Sequence, residues 1–366
     1  MKSTITGWGK CIPDNVVTND DLATFIDTSD EWIQQRTGVK ERRFCHVNNS
    51  DMATVAGLRA VACAGLKPEE IDVVILATCT PDSIVPSAAA HVQQKNGMCK
   101  MLQLMMLTRL VLVFFMHLEQ AKAFVESGLY KNAVVIGSEH ITWLLNWSDR
   151  NTAVLFGDAA GAVVVEESKN EEDGEIYSFS NGMSSDKLDI LEIPNFGSAM
   201  NRFTPNAAAD VVWTFEGQEI FKSGIRAMAK SSEEAIEKSG LKKEDIDILI
   251  PHQANVRIIE GLERTLKLPN ATTLKYGYKY GNTSAASIPT ALVDAIEDGT
   301  IKGSETLVIT AVGAGLTWGG AALKFGKRVT PLDETDVELP PYEGTGVDVI
   351  RESINYFVPE KAEEEK

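Results

Sequence analysis

Four short stretches of this chain hold residues able to do chemistry. The first is Pro251-His252-Gln253-Ala254-Asn255. His252 closes a β-branched run and opens a polar loop, and doubly wound sheets place ligands at the carboxyl ends of their strands. The position suits a catalytic imidazole as well as a structural one. The second is Tyr280 to Ser287, YGNTSAAS. Its small residues let a backbone and a ligand approach closely. It reads equally as a helix start capped by Asn282 or Thr283. The third, Val312 to Gly320, is VGAGLTWGG. The backbone N–H groups of Gly313, Ala314 and Gly315 can face an oxyanion there, or the turn is a plain hairpin. It is not GxGxxG followed by a helix, so a dinucleotide fingerprint is excluded. The fourth is Thr28 to Gly38, TSDEWIQQRTG. Trp32 and Arg36 stand four apart and share a helix face. An aromatic plane beside a guanidinium suits a nucleotide base and its phosphate, and equally makes a surface cation–π pair.

The elements that must position these residues come as an internal echo. AGLKPEEIDVVILATCT runs from Ala64 to Thr80, and SGLKKEDIDILIPHQAN from Ser239 to Asn255. Each follows a helical stretch and gives a Gly-marked stop, an acidic pair and a buried run. Two copies this far apart indicate a duplicated domain, not a solenoid of repeats of about 20–50 residues. Further buried strands are expected at Ala133–Glu139, Ala160–Glu167, Thr306–Gly315 and Gly320–Gly326. With helices between them, the class is α/β with both sheet faces covered. The charged stretch Ser168–Gly174 marks the seam, giving halves of residues 1–170 and 171–327. The irregular stretch from Asn181 to Gln218 reads as an insertion over the site. Residues 328–366 form an acidic extension. Within it Val347, Ile350, Ile354 and Phe357 have helical spacing, predicting a short docked helix, and the final EKAEEEK is expected to be disordered.

Composition narrows the function. A net charge of −17 over 366 residues excludes general nucleic-acid binding, which needs a basic face. The cysteines, Cys11, Cys45, Cys63, Cys79 and Cys99, are scattered and form no CxxC pair, so neither a disulfide framework nor a zinc site is expected. The start, MKSTITGWGK, lacks a signal peptide's apolar core, and a cytoplasmic location is expected. Met101 to Leu118 imitates a membrane span. Its purely apolar core, Leu110 to Met116, is far shorter than the roughly 20 residues a spanning helix needs, so a buried element is expected.

Together and in this order, HQAN, YGNTSAAS, the glycine turn before Thr317-Trp318-Gly319, TSDEWIQQRTG and DRNTAVLFGDAAGAVVV (Asp149 to Val165) resemble β-ketoacyl-acyl-carrier-protein synthase III. The resemblance runs from about Ile5 to Lys327. It implies a thiolase-like fold whose duplicated halves form a five-layer αβαβα arrangement, and a homodimer. It also implies a reaction: an acyl group passes from coenzyme A to a cysteine, malonyl-acyl carrier protein is decarboxylated, and the pieces are joined. No cofactor is implied beyond acyl-CoA as substrate, and no metal. By the same resemblance His252 and Asn282 hold the malonyl thioester carbonyl and stabilise the enolate. Gly313, Ala314 and Gly315 form the oxyanion turn, with Ala314 where the family has glycine. Thr28, Trp32, Arg36 and Arg150 meet the coenzyme A nucleotide, Asn255 lines the pantetheine channel, and Lys222 and Arg257 face the acidic carrier protein.

The nucleophile departs from this pattern. The family places its cysteine in a segment resembling NAAAYDVNAACSGFLYAL, at the start of a buried helix, which lowers the thiol pKa. Between Gly97 and Glu119 this chain has MCKMLQLMMLTRLVLVFFMHL. The last base of each codon, read with the first two bases of the next, can spell the family segment. Met101 completes Asn; Leu102, Gln103 and Leu104 complete alanines; Met105 and Met106 complete Tyr and Asp. Leu107 and Thr108 complete Val and Asn, Arg109 and Leu110 alanines, and Val111 supplies GT for Cys. Leu112, Val113 and Phe114 complete Ser, Gly and Phe. The pattern implies a local reading-frame shift over residues 99–117, with the lost cysteine at the Leu110/Val111 junction. If the shift is a sequencing error, the true protein is an ordinary synthase; if it is real, the chain is a catalytically impaired or non-catalytic homologue, a decarboxylase only or a partner subunit, since Cys99 lies well upstream. A thiolase or a hydroxymethylglutaryl-CoA synthase is the rival enzyme. Biosynthetic thiolases carry a second cysteine in the late glycine turn, and this turn has none.

Overall fold

The computed structural model describes residues 1–96, 105–107, 112–194 and 211–359. Two five-stranded sheets organise it. In the first half the strands are β1 (Ser3–Cys11), β2 (Val73–Ala77), β3 (Met105–Leu107), β4 (Asn132–Glu139) and β5 (Ala159–Glu167), in the order β1-β5-β4-β2-β3. In the second they are β6 (Glu175–Met183), β7 (Ile248–Pro251), β8 (Thr272–Thr273), β9 (Thr306–Gly313) and β10 (Thr317–Lys324), in the order β8-β7-β9-β10-β6. Each echo segment ends in the second strand from an edge, β2 or β7. Both sheets then run through two more strands to an antiparallel edge, β1 or β6. The echo is thus the same topology built twice. The predicted boundaries move most at one turn: the strand expected from Gly320 begins at Thr317, and its partner, expected to reach Gly315, ends at Gly313. Thr317 pairs with Gly313, so only Ala314 to Leu316 are left for the turn.

The helices that layer these sheets or carry the site are α1 (Asp30–Thr37), α2 (Asn49–Cys63), α3 (Ala88–Asn96), α4 (Leu112–Glu126), α5 (Gly217–Lys238), α6 (Val256–Leu266), α7 (Ser287–Glu297) and α8 (Arg351–Phe357). Helices α2 and α3 cover the outer face of the first sheet, and α5, with α6 against it, that of the second. Helices α4 and α7 lie between the sheets, which makes five layers. Alternation along the strands serves two cores at once. Val163 and Val165 of β5 point into the central core with Phe115, Leu118 and Ile288, while Ala160, Ala162 and Val164 pack with Met52, Ala56 and Ala60 of α2. Ile248 and Ile250 of β7 join the central core, and Leu249 joins the outer one with Met228. A strand buried on both faces has no polar side to show, which is why these runs are continuously apolar. Among the described residues no helix is long and apolar enough to cross a membrane. Of the membrane-like run, Leu112 to Leu118 lies in α4, where Phe114, Phe115 and Leu118 are buried; residues 101–104 and 108–111 lie outside the described residues.

The extension after Lys327 returns across the first half. The Arg328 guanidinium donates to the carbonyl oxygens of Cys63 and Thr6 and lies 4.9 Å from the Trp8 ring. Leu332 N–H donates to Cys63 O at 3.0 Å, and Arg59 donates to Val337 O at 3.1 Å. The His46 ring stacks on Tyr342 with centroids 5.0 Å apart. The predicted helix forms in two pieces, Gly346–Val349 and α8, broken at Ile350, whose φ of −109° leaves the helical range. Ile350 and Ile354 are buried in the cluster that holds Val17, Leu22 and Ile33 of the α1 region. The terminal EKAEEEK lies outside the described residues.

Candidate active site

A cavity of about 680 Å³ opens where the C-terminal ends of β7 and β9 meet the loop before β5. His252 follows β7 directly. Its backbone N–H donates to Thr310 O at 2.8 Å, extending the sheet pairing one residue past the strand. The ring is buried, and its Nδ1 lies 2.6 Å from Ser287 Oγ at the start of α7. Ser287 Oγ also accepts the Gln253 N–H at 3.4 Å. When Ser287 donates to Nδ1, the ring proton sits on Nε2, where it can serve as a donor to the cavity. Burial pushes the His252 pKa down to about 3, so the imidazole is neutral at physiological pH. Gln253 is a brace rather than a ligand. Its amide donates to the carbonyls of Pro251 and Leu274 and accepts from the backbone of Tyr276 and Gly277.

Asn282 reaches the cavity from the second half but is pinned by the first. Its N–H donates to Leu155 O at 2.9 Å, and its carbonyl accepts from Gly157 N at 3.2 Å. Gly157 must be glycine: a Cβ there would stand 2.2 Å from Tyr280 O. Gly281, at φ +70°, makes the opposite wall of this contact. This is the role of the DRNTAVLFGD stretch, whose Asp158 is buried and accepts from Cys45 N, Thr142 N and Thr142 Oγ1. The Asn282 side chain accepts the Ser284 N–H on Oδ1 at 2.9 Å, which leaves Nδ2 as a donor. His252 and Asn282 both line the cavity, with Leu155, Phe156, Trp213, Phe215, Phe221 and Val312 as its apolar walls. Two polar donors in an apolar setting stabilise an oxyanion better than they would in water.

The mouth is cationic and aromatic. Ser29 caps α1 by accepting the Trp32 N–H at 3.2 Å, and Gly38 ends the helix at φ +78°. Arg36 Cζ lies 4.4 Å from the Trp32 ring centroid and Arg150 Cζ 4.8 Å, so both guanidinium groups meet the same indole. Arg150 also donates to Asp27 O. Asn255 caps α6 through Arg257 N and donates to Arg36 O at 3.0 Å, tying α6 to the end of α1. Exposed Lys222 and Arg257 stand at the rim and line the cavity with Asn255 and Trp32.

Two predicted groups fall elsewhere. Thr28 is not among the cavity-lining residues, and its buried Oγ1 has no hydrogen-bond partner. Gly313 ends β9 and Ala314 and Gly315 lie in the β9–β10 turn, but Val312 is the residue of this segment that lines the cavity. The Leu110/Val111 junction and Cys99 lie outside the described residues; α4 begins at Leu112. Cys79 offers no substitute. Burial and the neighbouring Glu139 carboxylate, to which its thiol donates at 3.3 Å, push its pKa well above the thiol range. Among the described residues no group of His, Cys, Asp or Glu is arranged to hold a metal ion. Sequence reasoning did not single out Ser287 or Ser284, although both lie inside YGNTSAAS. The signal was their spacing after Asn282, which puts one at a strained position and one on the first turn of a helix.

Comparison with known proteins gives one family. The model for 3-oxoacyl-acyl-carrier-protein synthase III matches residues 112–185, and that for its C-terminal part matches residues 236–325. The chain is 45% identical over 354 residues to β-ketoacyl-acyl-carrier-protein synthase III 2 of Vibrio cholerae, covering 96% of each. It is 42% identical to β-ketoacyl-acyl-carrier-protein synthase III of Bacillus pumilus, covering 89% of this chain and 100% of that one. The crystal structure of 3-oxoacyl-acyl-carrier-protein synthase III from Aquifex aeolicus superposes with a TM-score of 0.80 at 40% identity, covering 88% of this chain and all of that one.

Proposed function

This chain belongs to the 3-oxoacyl-acyl-carrier-protein synthase III family, and from that premise we propose how its residues carry out the decarboxylating condensation of acyl-CoA with malonyl-acyl carrier protein that begins fatty acid synthesis. Neutral His252, through Nε2–H, and Asn282, through Nδ2–H, donate to the malonyl thioester oxygen. The bond to the carboxylate breaks, carbon dioxide leaves, and the electron pair is held as an enolate by those two donors. The cysteine that the restored frame places at the Leu110/Val111 junction takes the acyl group from acyl-CoA, releasing coenzyme A; the carbanion carbon then attacks that acyl thioester and expels the cysteine thiolate. The convergence of a buried neutral imidazole and an oriented amide on one apolar cavity carries this reading. The alternative of an impaired or non-catalytic homologue draws no support from the relatives, which are named as synthases.

Thr28, Trp32, Arg36 and Arg150 meet the coenzyme A nucleotide, and Asn255 lines the pantetheine path. Lys222 and Arg257 at the rim receive the acidic carrier protein, and the turn from Gly313 to Gly315 assists the acyl oxyanion. The reaction runs without a bound cofactor, in a cytoplasmic homodimer. Residues 99–117 are written in a shifted frame. One observation supports that: the His117 ring is buried with neither nitrogen partnered, as expected of a side chain foreign to its place. Two tests apply. Protein expressed from the re-read gene should take a covalent acetyl label from radiolabelled acetyl-CoA. A DNA read showing one unbroken frame through Gly97–Glu119 would overturn the frame-shift proposal, and an unlabelled re-read protein the synthase assignment.

A further inference from the structure

Ser284 has φ of +49°, one of few non-glycine residues here in the left-handed region. A residue with a Cβ is rarely found there unless something holds it. Its N–H makes the bond to Asn282 Oδ1 that orients the catalytic amide. Its own hydroxyl donates to Glu139 Oε1 at 3.0 Å. Glu139 ends β4 in the other half of the molecule and is wholly buried. Its second oxygen accepts from Thr80 Oγ1 at 2.7 Å, Cys79 N at 3.1 Å, Thr78 Oγ1 at 3.2 Å and Cys79 Sγ at 3.3 Å. These donors are themselves directed. Thr80 Oγ1 accepts from His140 N, and Thr78 Oγ1 accepts from Asn49 Nδ2, so each hydroxyl proton is free to point at the carboxylate. A carboxylate is the side chain that accepts on both oxygens from donors arranged in this way.

We propose that Glu139 is a positioning residue for the condensation: by holding the Ser284 hydroxyl it keeps residue 284 in the left-handed conformation that aims its N–H at Asn282 Oδ1, and so presents Asn282 Nδ2 to the malonyl thioester. The Asn282 backbone is already fixed by Leu155 and Gly157, so what Glu139 controls is which end of the amide faces the cavity. This rests on the role given above to Asn282.

The test separates the hook from the strain it opposes. Ser284→Ala removes the hydroxyl and keeps the Cβ. Ser284→Gly removes both, and glycine holds a positive φ unaided. Malonyl-carrier-protein decarboxylation, read as carbon dioxide release, needs no cysteine and is measured on the full chain. We expect kcat to fall about tenfold in Ser284→Ala, the effect of one lost positioning hydrogen bond, with KM nearly unchanged. Ser284→Gly should recover most of it. Glu139→Ala should fall like Ser284→Ala, and adding it to Ser284→Gly should cost no further rate. Equal losses in Ser284→Ala and Ser284→Gly, or an unchanged Ser284→Ala, overturn the proposal, and these two variants decide it even where Glu139→Ala does not fold. If the wild type releases no carbon dioxide, the reading of His252 and Asn282 fails. Crystal structures of the two Ser284 variants then decide the positioning claim. The bond from residue 284 N to Asn282 Oδ1 should be lost in the alanine variant and kept in the glycine one; its persistence in both overturns the claim.

Discussion

His252 is the group whose charge state the proposed chemistry depends on, and its neutrality can be tested by stability. The perturbation is His252→Asn, which keeps a polar side chain but cannot take a proton. In the unfolded chain a histidine titrates near pH 6.5. In the folded protein, burial holds the His252 pKa at about 3. As pH falls from 7.5 to 5.5 the unfolded chain takes up this proton and the folded protein does not. Stability present at pH 7.5 is therefore lost as pH falls through 6.5, and the loss continues toward pH 3. Over that two-unit window one such histidine costs about 1.4 kcal/mol. The window stays above the isoelectric point of about 4.8, where precipitation would interfere. Urea midpoints at pH 5.5, 6.5 and 7.5 give the measurement. Groups common to both proteins, including buried His117, cancel in the difference between wild type and variant. The wild type should lose about 1.4 kcal/mol more than His252→Asn between pH 7.5 and 5.5. A difference that stays constant across the three pH values would mean that the folded imidazole accepts a proton near pH 6.5. It would refute the claim that burial keeps His252 a neutral donor.

Ser287→Ala removes the 2.6 Å contact to His252 Nδ1. Decarboxylation kcat should fall about tenfold with little change in KM, and steady-state kinetics check it. Gly157→Ala drives a methyl against Tyr280 O, displacing the strand of chain that carries Asn282. It should lower kcat at least tenfold, and a wild-type rate would show that the Asn282 anchor is dispensable. Removing residues 344–366 exposes the cluster that Ile350 and Ile354 bury beside the α1 region. Burying one such side chain is worth about 1.5–3 kcal/mol, so the thermal midpoint should drop by several degrees. KM for acyl-CoA should rise because Trp32 is held from the same cluster.

The fold was legible where two faces of one strand had to be apolar together, as in Ala160 to Val165 and Ile248 to Ile250. The duplicated echo gave the topology because Gly65 and Gly240 stop their helices at the same point in each copy. His252 and Asn282 were legible as the proposed pair through the order of their motifs along the chain, since each motif alone reads equally well as structure. The supporting residues were harder to see. Ser284 and Ser287 look alike in YGNTSAAS, and only three-dimensional pairing separates a hook on Glu139 from a partner of His252. Glu139 reads as a strand-end acid, since nothing local shows that five donors surround it. The break at Ile350 was invisible because the apolar spacing of Val347, Ile350 and Ile354 is the same for one helix or two short ones. The turn at Gly313 to Gly315 was expected at the cavity, and it is Val312 that faces it, because β9 pairs with β10 as far as Gly313.

The bonds from Leu155 and Gly157 to the Asn282 backbone have a consequence for recombination between paralogues. The Ser168–Gly174 seam is the natural crossover for a chimaera, since each side would keep a whole sheet. Such a crossover transfers His252 together with Ser287, so the imidazole arrives with its partner. Asn282 would arrive without the loop it is hung from, and Ser284 without its Glu139. Shuffled halves should therefore fold as readily as their sheets allow and yet lose the amide donor first. Carrying residues 139 and 155–157 across as a second small insert is the repair that the architecture prescribes.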